Sequence, residues 1–168
     1  PFPTAELVRR WLALEDRAGH VIGSLLAPDF TDHQYPEEEL RTAFIAVEGY
    51  HYENIGGAAM DPSIYAEQVE AVVAAAPGEL REWLKRMLSG RNGKGQSVQL
   101  DEVAVEAGPT WQKIEAAWPG FRQLALKSRN KVAHPTKDLL GMELVAAARG
   151  LRWVIRDRLL ASLLDDSE

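Results

Sequence analysis

The chain has no cysteine among its 168 residues. That absence removes a disulfide framework, a thiolate nucleophile and any zinc–thiolate site, and it makes a reducing cytoplasm the default compartment. No apolar run reaches the length of a bilayer span, and the start does not pair a basic stretch with a short apolar one as a signal peptide does. No membrane partner is therefore expected. Excess positive charge is also missing. The formal net charge is -6, which argues against a general nucleic-acid coat protein, basic overall, while leaving room for a local basic site. Alternating apolar and polar runs are absent, as is an Asn-Gly turn between such runs, so strands have no signature. No repeat of fixed period recurs. An initiator methionine is lacking too. The opening Pro1-Phe2-Pro3 suggests a fragment of a longer protein, with residues 1–168 forming one domain.

What is present is ordinary for a globular chain: 46% hydrophobic and 26% charged residues, at a length that can bury a sizeable core. The apolar positions recur at helical spacing. Thr4 caps a first helix through Leu7, Val8, Trp11, Leu12 and Leu14, expected to stop near Arg17 and Gly19. His20 to Ala27 is too short for periodicity to assign, and Pro28 to Tyr35 reads as a loop. Pro36, followed by three glutamates that favour the positive end of a helix dipole, starts a second helix that fades at Gly56-Gly57.

Asp61-Pro62 starts a third helix, broken at Pro77-Gly78, and Glu79 to Ser89 is a fourth with a marked apolar side. The polar stretch Arg91 to Gln96 lacks the spacing of a phosphate-binding P-loop and reads as a plain loop. Shorter helices follow at Val98 to Ala107 and Trp111 to Trp118. Another leads from Phe121 to a proline, and one long helix runs from about Asp138 to Leu164. The fold class is all-α, a bundle of five to eight helices with a long C-terminal helix. The five tryptophans occupy apolar helical positions, which suits core or dimer packing better than base stacking.

One stretch carries chemistry: Ser128-Arg129-Asn130-Lys131-Val132-Ala133-His134-Pro135. The residue before a proline is pushed out of the α region, so the helix should end at or just before His134. An arginine, an asparagine and a histidine then share its last turn and a half, with Asn130 and His134 four apart on one face. A bare Arg and His at this spacing would arise by chance in about one chain in five, so the flanking Asn and Pro and the surrounding residues must carry the weight. Arg122, Lys127, Arg129, Lys131 and Lys137 put five cations between residues 121 and 137 with no acid among them, a patch suited to RNA phosphates as well as to an ordinary solvated helix end.

Cutting RNA without a metal needs a base for the 2'-OH, an acid for the leaving 5'-oxygen and a fixed positive group for the phosphorane. Histidine suits the proton work because its pKa lies near working pH. Arginine suits the charge because its donor fork matches phosphate oxygens, and asparagine can hold the imidazole or the phosphate. One copy supplies one such histidine, so a two-fold homodimer that faces two motifs together would complete the site. Glu48, inside an otherwise apolar stripe, needs a partner or water; Arg129 or His134 is the expected buried partner. Glu48 and His51 also form a Glu-x-x-His pair, but a di-iron bundle needs two such pairs and two further glutamates. Neither metal nor cofactor is expected.

On these residues the chain resembles the HEPN domains (higher eukaryotes and prokaryotes nucleotide-binding) of the Apea type. Arg129, Asn130 and His134 match the family's signature, Pro135 is typical of the branch, and the helix from Phe44 through Glu48 to His51 resembles the branch's early helix. The resemblance covers about residues 4 to 164. It implies a small helical bundle that dimerises across its motif helices, and endoribonuclease activity of the kind used in toxin–antitoxin, abortive-infection and antiviral systems. On this carry-over Arg129 and His134 are catalytic, Asn130 supports them and Glu48 orients the arginine or histidine. RNA is the substrate, with an antitoxin or sensor domain as a possible further partner. The alternative within the family is an inactive dimerisation or nucleotide-sensing module.

Overall fold

A computed structural model of the chain describes residues 3–31, 35–133 and 141–164. Among these residues are eight helices and no strand: α1 (Thr4–Leu26), α2 (Pro36–Tyr50), α3 (Pro62–Ala75), α4 (Gly78–Leu88), α5 (Gln96–Ala107), α6 (Pro109–Ala117), α7 (Phe121–Ala133) and α8 (Gly141–Leu164). A 3-10 turn, Ala27–Phe30, follows α1, and a π turn, His51–Ile55, extends α2. The all-α bundle with a long closing helix is the expected architecture. His134, Pro135 and Lys137, the expected helix start at Asp138 and the acidic tail Asp165–Glu168 lie outside the described residues.

The bundle is organised around α2, which packs on α8, α1, α7 and α5. Its sequence dictates that role. Leu40, Ala43, Phe44, Ala46, Val47 and Tyr50 are all buried, a stripe wide enough to meet neighbours on more than one side. Opposite it, α8 buries Leu144, Ala147, Ala148, Leu151, Val154 and Ile155. Alanines on both helices let their backbones approach closely, since interaxial distance is set by the side chains at the contact. On the α1 side Gly49 does the same job. A Cβ there would lie 2.9 Å from His20 Nε2 and from Val21 Cγ2.

α1 departs from its expected end. Gly19 does not stop it. The chain kinks at Ala18 (φ -126°, ψ 23°) and continues helically to Leu26. Burial decides this, because Ala18, Val21, Ile22 and Leu25 face the core and outweigh the low helix propensity of one glycine. Arg152 of α8 then ties the end of α1 to α2: it bonds Leu25 O at 3.1 Å and Asp29 at 2.6 Å, and lies 3.5 Å from Glu39. The arginine holds the Asp29 carboxyl below the usual carboxylate range.

The helices α3 and α4 stand apart. They pack on each other, and neither contributes a buried residue to the core. Their base is held by the loop that reads as plain in sequence. Asn92 bonds the backbone of Met60 in both directions (3.0 and 2.8 Å), its carbonyl accepts from Ala59 N at 2.8 Å, and Ala58 bridges Gly93. The tryptophans also divide. Trp111 is buried, edge-on to Phe121 with centroids 5.4 Å apart, while Trp11, Trp83, Trp118 and Trp153 remain exposed.

Candidate functional site

The motif helix α7 is fixed at its start. The Glu115 carboxylate accepts from the backbone N–H groups of Gly120, Phe121 and Arg122 at 3.0, 3.3 and 2.9 Å. These are orphan donors of a first turn, and an anion there also meets the positive end of the helix dipole. Phe121 anchors that turn in the core beside Trp111 and Gly150. Ala125 and Ser128 keep the same face buried, which directs Arg129 toward α2.

Between α7, α2 and the start of α5 lies a cleft of about 290 Å³ whose walls include Arg41, Phe44, Glu48, Gln96, Arg129 and Val132. Helical spacing explains the grouping. Arg41, Ile45 and Glu48 follow one another by four and three residues along α2, as Arg129 and Val132 do by three along α7. Glu48 is half-buried, and Gln96 Nε2 donates to its carboxylate. Its observed partner is Gln96; of the two expected partners, Arg129 shares the cleft without bonding it, and His134 lies outside the described residues. Arg129 is half-buried, and among the described residues no side chain or carbonyl accepts from its guanidinium. Arg41, 3.6 Å from Glu38 on the exposed surface, adds a second guanidinium at the rim. With Arg41 paired to Glu38 and Glu48 bonded by Gln96, Arg129 is the cleft's cation without a bonded partner among the described residues, which suits an anionic group.

The other residues singled out from sequence are placed differently. Lys127 and Asn130 are exposed, and Lys131 is half-buried. Arg122 is engaged within the chain. It donates through Nε and Nη2 to both oxygens of Asp101 (2.7 Å for Nη2) and through Nη2 to Ser97 at 2.7 Å. The hydrogen-bonded carboxylate raises the pKa of that guanidinium. The local run of cations is therefore partly neutralised by acids from α5 and α6, which a reading of residues 121 to 137 alone does not see.

Behind the cleft, α5 clamps the end of α2. His51 is buried, with Nε2 2.5 Å from Glu102, and Lys94 Nζ donates to the same carboxylate at 2.7 and 2.9 Å. The His51 hydrogen bond, then that of Lys94, hold the Glu102 carboxyl below its ordinary range. One turn on, Tyr50 OH donates to Glu106 at 2.5 Å; burial, then this neighbouring carboxylate, push the phenol up to about 12. His51 thus belongs to an ion-paired anchor that keeps Glu48 in register, and it turns away from a shared site with Glu48. Among the described residues no group of three His, Asp or Glu side chains could hold a metal ion, and no helix is long and apolar enough to cross a membrane.

Two cleft residues were not singled out from sequence. Arg41 could have been found, since it lies seven residues before Glu48 on one helical face. Gln96 could not, because its link to Glu48 spans 48 residues. A family model described as Apea-like HEPN matches residues 42–164, which takes in Glu48, α7 and α8. No curated protein and no solved structure matches the chain.

Proposed function

Because the chain belongs to the Apea-like HEPN family, whose modules are often ribonucleases of defence systems, we propose that it is an endoribonuclease that cuts RNA without a metal at a site completed by a second copy. The observation that carries this reading is the cleft: Arg129, with no acceptor among the described residues, shares it with Glu48. A phosphodiester entering there meets a guanidinium with free donors, in surroundings partly shielded from water, where such an interaction is strengthened. Glu48, held by Gln96, balances the charge of that guanidinium across the cleft when the substrate is absent. The neighbouring Asn130 orients substrate or imidazole, and Lys127, Lys131 and Lys137 guide the RNA backbone toward the cleft.

The reaction is transesterification. His134 of one copy removes the 2'-OH proton, the 2'-oxygen attacks phosphorus, the bond from phosphorus to the 5'-oxygen breaks, and His134 of the second copy protonates that oxygen. Arg129 stabilises the extra negative charge on the phosphorane. The products are a 2',3'-cyclic phosphate and a 5'-OH. The test is incubation of end-labelled RNAs with the purified protein in excess chelator. The wild type should cut, and Arg129→Ala and His134→Ala should each slow cutting by at least about 100-fold. Equal rates for the three proteins would refute the assignment. Binding without cleavage by the wild type would support the non-catalytic sensing module instead.

A further inference from the structure

The α3–α4 hairpin carries an apolar face, interrupted by Gln68, that nothing in the described chain covers. Tyr65, Val69 and Val73 of α3 and Leu84 and Leu88 of α4 are the half-buried side of each helix, and Tyr65 OH donates to Leu88 O at 2.7 Å. Helical geometry then puts Ile64 and Val72 on the same side of the pair as Leu80, Trp83 and Met87. Those five side chains are 49%, 51%, 45%, 51% and 45% exposed. Helices of 14 and 11 residues are marginal in water without tertiary cover. A hairpin with no residue in the core and a tryptophan on its open side is half of a helical bundle.

We propose that the occupant of this face is the same hairpin of a second copy, so that two hairpins close into a four-helix bundle. The charge pattern selects that partner. At the outer edges of the apolar face stand Glu67 on α3 and Arg86 with Glu79 on α4, while Glu70, Arg81 and Lys85 lie on the opposite side of the hairpin. A hairpin laid face to face on its copy, with the two-fold axis along the helices, sets α3 over the copy's α4 and so Glu67 over Arg86. The register agrees. Tyr65 stands level with Leu88, so Glu67 stands level with Arg86, each on its helix's outer edge of the apolar face, and the two-fold places Glu67 of one copy above Arg86 of the other. The alternative two-fold, across the helices, would set acidic α3 over acidic α3. The face is about 20 Å square, at the small end of specific interfaces. The association is therefore concentration-dependent and not obligate. It does not depend on the ribonuclease reading.

The absence of native cysteine gives a direct test. Glu67→Cys and Arg86→Cys proteins, both substituted at exposed positions, are mixed and treated with a short bis-maleimide, and covalent dimers are read on a denaturing gel. The mixture should give a dimer band at least several-fold stronger than either variant alone, and adding Trp83→Glu to both should abolish it. Absence of the band from the mixture would overturn the proposal, as would equal cross-linking of Glu67→Cys alone or persistence with Trp83→Glu. A dimer formed elsewhere on the molecule would leave this cross-link absent.

Discussion

Gly150→Ala should destabilise the protein, although it replaces glycine by the best helix former inside a long helix. Two effects oppose each other. Helix propensity favours alanine by about 1 kcal/mol. Against this, a Cβ at position 150 would lie 2.5 Å from both Cε2 and Cζ of Phe121, where ordinary carbon contacts are about 3.5–4.0 Å. Phe121 is 1% exposed and braced edge-on by Trp111, so the ring cannot retreat by the required ångström without moving its neighbours. Overpacking of this kind costs about 1–3 kcal/mol beyond what the site can relax, and since ring and helix are both fixed, the upper part of that range applies. The net expectation is a loss of about 1–2 kcal/mol, or roughly 2–8 °C in Tm for a domain of this size. Gly23→Ala is the control. It too lies in a helix, nothing stands within 4 Å of its Cβ, and it should gain about 0.5–1 kcal/mol. Urea denaturation of the two variants beside wild type reads both signs. A Gly150→Ala protein as stable as wild type would refute the reasoning that the Phe121 contact fixes α7 on α8. Because Phe121 opens the helix that bears Arg129, the same variant should also cut RNA more slowly.

Three further outcomes follow from the anchors described above. The Glu102 carboxyl is held below its ordinary pKa by His51 and Lys94. Its stabilising contribution is therefore complete above the unfolded value and disappears as pH falls through the lower folded value; Glu102→Gln should lower the urea midpoint at neutral pH and flatten its decline on the acid side of the ordinary glutamate range, and an acid limb as steep as wild type's would contradict this. Asp61 caps α3 by accepting from Ser63 N at 2.9 Å and Ile64 N at 3.3 Å. Since α3 adds nothing to the core, Asp61→Ala should speed amide exchange through the hairpin while leaving the global midpoint unchanged. Ser128 is buried, and among the described residues nothing bonds its hydroxyl, so Ser128→Ala should be neutral or stabilise by up to about 1 kcal/mol; a loss beyond that in thermal melts would point to a hydroxyl partner.

Most helix limits were legible because proline and glycine punctuate them. Asp61-Pro62 opens α3, Pro77-Gly78 separates α3 from α4, and Gly108-Pro109 separates α5 from α6. The end of α1 was not legible, because burial of Val21, Ile22 and Leu25 carries the helix past Gly19. The stripe of Leu80, Trp83 and Met87 showed that α4 is amphipathic but not that its apolar side faces outward; periodicity reports a face, not what covers it. The candidate site shows the same division. Arg129 and Glu48 stand out by residue type and spacing. The link of Arg122 to Asp101 and that of Glu48 to Gln96 join residues 21 and 48 positions apart, and only the packing of α5 against α2 and α7 brings them together. His134 lies outside the described residues, so its role rests on the motif and the family.

The proposed reaction requires a 2'-oxygen as the nucleophile at a phosphodiester held by Arg129. The direct measurement uses an RNA whose cut position has been mapped and a matched oligonucleotide with a single 2'-deoxy substitution on the 5' side of that bond, each incubated with wild-type protein in chelator. The first should yield a 2',3'-cyclic phosphate end, and the second should not be cut at that bond. Cleavage of the 2'-deoxy bond at a comparable rate would contradict the proposed reaction.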